Sequence, residues 1–443
     1  MRISKKILFL LSLAALSLSS CNGSGSSDSS GASSEESTSS YNPEDDGPYT
    51  GQNPYVKKVA NMPDDFIIGM DSSSVLSLEE SGVKYYDFNE TEPKDLFVIL
   101  KNHGINTIRI RIWVDPWTAP DGEGVKHGYG GGNVDIDRAV TIGKRVTAAG
   151  MKVLANFHYS DFWADPKRQH APKAWEGMGV AEKSSALYDF TKDSIIQLLD
   201  AGVDVGMVQI GNEINYGMSG ETKLENVISL LKAGSMAIRD VSSDYGKDIS
   251  IVVHYTRITD KGDVLNLVSK LVENDLDFDM IGMSYYPFWD GGMDNMSRVL
   301  ELIQERYGKK AFLAETSYAY TTKDGDGSGN SFKAGDEVDG YEASVEGQAS
   351  IIHEICEQVS NVGGIGVFYW EGAWIPVGPA SADNSPIWEE YGSGWASSYA
   401  SDYDPEDAAL YYGGCSWDNQ AFFDFTGHPL ESINVFKYMR FGE

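Results

Sequence analysis

Eight short runs of β-type residues, most followed by a stretch with helical spacing, constrain this chain more than any other feature. The runs are DFIIGMD (65–71), TIRIRIW (107–113), KVLANFH (152–158), MVQIGNE (207–213), ISIVVHY (249–255), MIGMSYY (280–286), AFLAETS (311–317) and IGVFYWE (365–371). Between them, PKDLFVILKNHG (93–104), DRAVTIGKRVTAAG (137–150), SALYDFTKDSIIQLLDAG (185–202) and NMSRVLELIQERYG (295–308) carry apolar residues at helical spacing and close on Gly. Strands that alternate with helices pair in parallel through crossovers, and eight repeats of that unit close a sheet on itself. The expected fold class is α/β, a (β/α)8 TIM barrel, spanning residues 62–443. A doubly wound open sheet is the competing architecture, but no Gly-rich fingerprint follows the first strand.

Ahead of the barrel the chain changes character. Arg2, Lys5 and Lys6 precede the apolar run ILFLLSLAALSL, which is short for a membrane span and has the layout of a secretory signal over residues 1–20. The run ends Leu18-Ser19-Ser20-Cys21, which resembles the bacterial lipobox, where cleavage leaves a lipidated cysteine as the new N-terminus. From there to residue 61 the sequence is mostly Ser, Gly and acidic residues, too poor in apolar side chains to offset ordering entropy, and reads as a tether. The expectation is an exported bacterial lipoprotein, membrane-anchored through Cys21 at the cell surface, which is the outer membrane if the cell is Gram-negative. A formal charge of −31 repels phosphate backbones and anionic lipid heads, which excludes nucleic acid as a partner and disfavours polyanionic substrates. Beyond the lipobox only Cys356 and Cys415 remain, and two cysteines do not reveal whether they meet. A monomer is the expected form.

In a barrel of this kind the chemistry sits where strands end and βα loops converge. Glu213 closes the fourth run, beside Asn212, and Glu315 closes the seventh. Two such Glu face each other across one mouth, which is what glycosidic cleavage requires: one carboxyl protonated to donate to the leaving oxygen, the other ionised to attack the anomeric carbon. Glu371, ending the eighth run after Trp370, is a rival that the reading sends to the rim.

The order of motifs narrows this further. GMDSSS (69–74), IRIRIWVDP (108–116), FHYSDFWADP (157–166), QIGNEIN (209–215), GMSYYPFW (282–289), LAETSYAY (313–320), YWEGAWIPVG (369–378) and GCSWDNQAFFDF (414–425) together resemble glycoside hydrolase family 53, the arabinogalactan endo-β-1,4-galactanases, over residues 62 to 440. The resemblance implies Glu213 as acid/base, Glu315 as nucleophile, retention of the β-configuration, and β-1,4-galactan of type I arabinogalactan as substrate.

Other residues can be argued beside it. Asn212 can hydrogen-bond the sugar 2-hydroxyl. Arg109 or Arg111, inside an apolar strand, needs a buried partner, and a catalytic carboxylate is a natural one. Strand alternation is taken to turn only one of them inward, and the family pattern favours Arg109. His158 and Tyr286, ending the third and sixth runs, can hold sugar hydroxyls or orient the Glu pair. Asp161 and Trp163, in the loop after the third strand, join them as expected substrate contacts, with Trp370 as the floor under a sugar ring. Trp113, Trp289 and Trp395 are expected along a longer groove.

After the nucleophile, Asp324, Asp326, Ser328 and Asn330 alternate with glycines, a spacing that can wrap Ca²⁺. Gly335 stands where an EF-hand would place its Glu. The resemblance implies a structural calcium that joins this loop to Cys415, through its carbonyl, and Asp418. An endo-mannanase or cellulase with the same carboxylate chemistry, or a glycan-binding lipoprotein without turnover, are the alternatives.

Overall fold

In a computed structural model of the protein, residues 56–406, 408 and 413–442 are described; Cys21, the signal and most of the tether lie outside them. Eight parallel strands pair in sequence order and close as β1 (Ile67–Asp71), β2 (Thr107–Ile112), β3 (Lys152–Phe157), β4 (Val205–Ile210), β5 (Ser250–Tyr255), β6 (Met280–Ser284), β7 (Lys310–Thr316) and β8 (Gly366–Tyr369). A helix of the outer ring follows each: α1 (Leu96–Asn102), α2 (Ile136–Ala148), α3 (Val180–Asp200), α4 (Leu224–Tyr245), α5 (Lys261–Glu273), α6 (Met293–Tyr307), α7 (Val345–Asn361) and α8 (Val435–Phe441). The TIM barrel expected from the alternation is the fold.

Local chemistry sets these boundaries. Asp95, Asp135, Asp260 and Ser344 cap α1, α2, α5 and α7 by accepting a backbone N–H of the first turn, each cap contributing about 1 kcal/mol. Gly308 ends α6 in the left-handed region, where a Cβ would be penalised.

Two apolar layers hold the barrel. On the outer face Ile108, Ile110 and Ile112 of β2 are fully buried against the helices, each contributing roughly 1.5–3 kcal/mol. Inside, Leu154, Met207, Val252, Met280, Phe312, Ala314 and Phe368 plug the lower barrel, leaving the upper layer to polar side chains. Packing begins before residue 62: Val59 is fully buried and its N–H donates to the Met439 carbonyl at 2.8 Å. Cys356 and Cys415 are both buried and unpaired. Among the described residues no helix is long and apolar enough to cross a membrane.

Candidate active site

The inner faces of the strands open into a groove of about 970 Å³ at the barrel mouth, within the range of ligand sites. Glu213 and Glu315 both line it, but the backbone delivers them by different means. After β4 the chain turns through Gly211 at φ 84° and Glu213 at φ 47°. A Cβ on Gly211 would meet Ile214 Cγ2 at 2.6 Å, so only glycine allows the chain to fold over Ile214 here. In β7, Phe312 and Ala314 face the interior, and strict alternation would turn Glu315 outward. Instead the register against β6 shifts after Leu313, pairing Ser284 with Glu315, and the bulge brings the carboxylate into the mouth.

The two carboxyls meet different surroundings. Glu315 pairs with Arg109 at 2.9 Å and accepts the Tyr286 hydroxyl at 2.9 Å. Burial raises its pKa above the usual carboxylate range, while Arg109 and Tyr286 pull it back. Glu213 accepts only neutral donors, the Ser284 hydroxyl at 2.6 Å and Thr256, and burial together with the charge of Glu315 pushes it up to about 8. One group thus has a cation and a hydroxyl donor that favour its ionised form, and the other, with neutral donors, is poised to keep a proton near neutral pH.

Both arginines point inward, against the expectation that alternation admits only one. Positions 109 and 111 differ by two, the strand period, so they share a face. Arg109 donates to Asp71 (3.0 Å), Gln209 (3.1 Å) and Asn212 (2.7 Å) besides Glu315. Arg111 donates to Glu371 (2.7 Å), Ser74 (3.0 Å) and the Gly131 carbonyl (2.6 Å). Glu371 therefore does not face the rim; it is 1% exposed, buried with Arg111 and beside Asp71, and its pKa is pushed up to about 8 by burial.

The other expected contacts divide. His158, Asn212, Tyr286, Trp163, Trp289, Trp370 and Trp395 reach the groove. His158 Nδ1 accepts from Trp113 Nε1 (3.1 Å) and the Ala164 N–H (3.3 Å); burial and the nearby arginines hold it neutral, leaving Nε2 to carry the proton. Asn212 is engaged at both ends, its Oδ1 by Arg109 and its Nδ2 by the Ala164 carbonyl at 2.9 Å. Trp163 has no free face, since Trp395 stacks on it at 4.5 Å and the Arg111 guanidinium lies 4.1 Å from the ring. Trp370 stands against Trp417, and Trp289 is 55% exposed. Two residues stay out of the groove. Asp161 is a loop staple, accepting the Asp115 N–H at 2.9 Å and the Lys173 N–H at 2.8 Å, and Trp113 is fully buried behind His158.

Sequence reasoning missed Asp71, Gln209, His254, Ser284 and Trp417. A signal was there for four: Asp71 ends a strand run, and Gln209, His254 and Ser284 are polar residues inside otherwise apolar ones. A second cavity, about 630 Å³ around Lys84, Ile375 and Phe425, contains one carboxylate, Asp324, and lacks a facing pair.

The loop after β7 folds against the segment that holds Cys415 and Asp418. Ligand oxygens of Asp324, Asp326 and Asp418 lie within 4.8 Å of one another. The Cys415 N–H donates to Asp326 at 2.7 Å, Ser328 Oγ accepts the Gly414 N–H at 2.9 Å, and Asn330 Nδ2 donates to Asp418 at 2.6 Å. Asn330 Oδ1 is buried without a partner. Burial and the neighbouring carboxylates push Asp326 up to about 6 and Asp418 well above its usual range.

The model of the family described as glycosyl hydrolase family 53 matches residues 67–436. An endo-beta-1,4-galactanase of Bacillus subtilis (strain 168) is 49% identical over 392 residues, 88% of this chain and 89% of that protein. An arabinogalactan endo-beta-1,4-galactanase of Humicola insolens is 33% identical over 331 residues, 72% of this chain and 93% of that protein. Among solved structures, the Ignisphaera aggregans GH53 catalytic domain superposes with a TM-score of 0.75 at 36% identity, covering 87% of this chain and 99% of that one. With its sequence matched over nearly the whole barrel and a solved member superposing on it, this chain belongs to glycosyl hydrolase family 53.

Proposed function

We propose that the protein is an endo-acting β-1,4-galactanase that cuts the neutral galactan side chains of type I arabinogalactan with retention of configuration, working at the cell surface from a tether lipidated at Cys21. The unequal treatment of the two carboxyls carries the mechanism. Glu315, kept ionised by Arg109 and Tyr286, attacks C1 of the galactosyl unit. The C1–O4 bond breaks as Glu213 passes its proton to the leaving oxygen, giving a glycosyl ester on Glu315. Glu213, now ionised, takes a proton from water, whose oxygen attacks C1 and displaces the Glu315 carboxylate. Two inversions restore the β-configuration. Trp370 and the exposed Trp289 offer apolar surface for sugar rings, and a neutral polymer is compatible with a chain of charge −31. The names of the Bacillus and Humicola relatives support the sugar.

Product analysis tests the reading. Linear β-1,4-galactan, β-mannan and a soluble cellulose derivative are incubated separately with the protein, and short galacto-oligosaccharides are expected from galactan alone. Cleavage of mannan or cellulose would discard the substrate; tight galactan binding without cleavage would make the protein a capture lipoprotein. The pH profile of kcat/KM is expected to be bell-shaped. Activity rises as pH passes the pKa of Glu315, which must be ionised, and falls as it passes that of Glu213, near 8, which must be protonated.

The cluster of Asp324, Asp326 and Asp418 fits Ca²⁺. Three close carboxylates and the unpartnered Asn330 Oδ1 are hard oxygen donors, which suit a hard cation. Ser328 Oγ and the Cys415 carbonyl can complete the set. The ion would neutralise the buried charge and pin the β7 loop to the Cys415–Asp418 segment. EDTA is expected to lower Tm, and Ca²⁺ at 100 times its Kd to restore about 2.7 kcal/mol of stability. An unchanged Tm on adding Ca²⁺ to the stripped protein would remove the metal.

A further inference from the structure

Behind Glu213 runs a column of polar side chains that the double displacement does not use. Arg109 Nε can only donate, and it donates to Gln209 Oε1 at 3.1 Å, which fixes that amide with its Nε2 toward His254. Gln209 Nε2 lies 3.1 Å from His254 Nδ1, and the backbone N–H of Glu213 points at the same nitrogen from 3.4 Å. Gln209 Nε2 also lies 2.7 Å from Asn156 Oδ1 and 2.9 Å from the Gly211 carbonyl, which can take both its protons, so the donor that marks Nδ1 as the acceptor of the ring is the Glu213 N–H. Burial and the charge of Arg109 hold the imidazole neutral, so its single proton is on Nε2. Nε2 stands 3.0 Å from Ser284 Oγ and donates to it, and the Ser284 hydroxyl then has Glu213 Oε1, at 2.6 Å, as the acceptor for its own proton.

We infer that Ser284 is a positioning residue for the acid/base step: its hydroxyl proton is committed to Oε1 of Glu213 by a one-way chain that runs from the Glu213 N–H through His254 to Ser284. The inference rests on the reading of Glu213 as acid/base. Two consequences follow for the chemistry. The transferable proton of Glu213 must sit on Oε2, since Oε1 already receives one, so the carboxyl presents a single defined oxygen to the leaving group. In the second step the same hydroxyl stabilises the carboxylate that takes a proton from water. The opposite arrangement, with a proton on Nδ1 donated to Asn212 Oδ1 at 3.0 Å, would leave the Glu213 N–H facing a proton. It would also turn Ser284 into a donor toward Nε2 and make Glu213 give its proton to Ser284.

The groups that face Glu213 are Glu315 from β7, Tyr286 and Ser284 from the end of β6, His254 and Thr256 from β5 and its loop, and Asp165 from the loop after β3, with Arg109 and Arg257 lining the same groove. Of these, Ser284 donates to the Glu213 carboxylate at 2.6 Å. A donor to the ionised form lowers a carboxyl pKa, so its loss raises it.

The test is the pH profile of kcat/KM on galactan for Ser284→Ala and Ser284→Thr, with Glu213→Ala measured alongside. In Ser284→Ala the basic limb is expected to rise by about one pH unit, with the acid limb set by Glu315 in place, and Ser284→Thr is expected to return the basic limb toward its original position. A basic limb that stays or falls in Ser284→Ala would overturn the inference, a fall meaning that the proton runs from Glu213 toward His254. Full activity in Glu213→Ala would instead overturn the acid/base reading, whatever Ser284 does. A second measurement needs no variant: ¹⁵N shifts of the His254 ring in the intact protein are expected to show Nε2 protonated and Nδ1 bare across about pH 5 to 9. The reverse pattern would sink the one-way chain.

Discussion

Replacing Glu315 with Ala is expected to lower galactan hydrolysis by a factor on the order of 10⁴ or more, because the proposed mechanism gives it alone the covalent bond to C1. The fold should survive. Arg109 would lose one partner but keep Asp71 at 3.0 Å and Asn212 at 2.7 Å, so its guanidinium is not left as an isolated buried charge. The missing carboxylate leaves a pocket beside that guanidinium, suited to a small anion. Added azide should therefore restore cleavage of a substrate with a good leaving group, attacking C1 from the side Glu315 occupied while Glu213 still protonates the departing oxygen. One inversion then gives α-galactosyl azide. Measured turnover near the parent rate without azide, or a β-azide as the rescued product, would remove Glu315 from the nucleophile role.

Much of this is legible in the sequence, and the exceptions have local causes. Alternating strand and helix patterns specify the barrel because parallel strands need crossovers, and strand ends locate the mouth because loops converge there. Glu213 follows from that rule directly. Glu315 satisfies it for a reason that periodicity hides: counting from Phe312, position 315 points outward, and only the slipped register against β6 turns it in. Arg111 and Glu371 depart from the expected placement for a related reason. Two residues of one strand separated by the strand period share a face, and a carboxylate at a strand end reaches the rim only if no buried cation claims it. Here Arg111 does, at 2.7 Å. The aromatic residues show the weakest link between composition and role. Trp163 and Trp113 stand in the expected loops, yet one has both faces covered and the other is sealed behind His158, because ring stacking depends on tertiary neighbours that no spacing encodes.

The strongest discrimination between the two carboxyls comes from Glu213→Ala, whose effect should depend on the leaving group. On galactan, where the departing sugar oxygen needs a proton, a loss of about 10²- to 10⁴-fold is expected. On an aryl galactoside whose phenolate leaves unaided, bond cleavage should approach the parent rate, after which the ester on Glu315 accumulates because no base remains to activate water. A burst of phenolate followed by slow turnover is the kinetic signature. Azide needs no base and should discharge that ester, attacking from the face opposite Glu315 and giving β-galactosyl azide. The basic limb of the pH profile should vanish with it, since the group pushed up to about 8 is gone. The two azide products, α from Glu315→Ala and β from Glu213→Ala, are mirror outcomes at one carbon. No assignment with the roles exchanged produces the same pair, because each product records which face of the sugar the missing carboxylate had occupied.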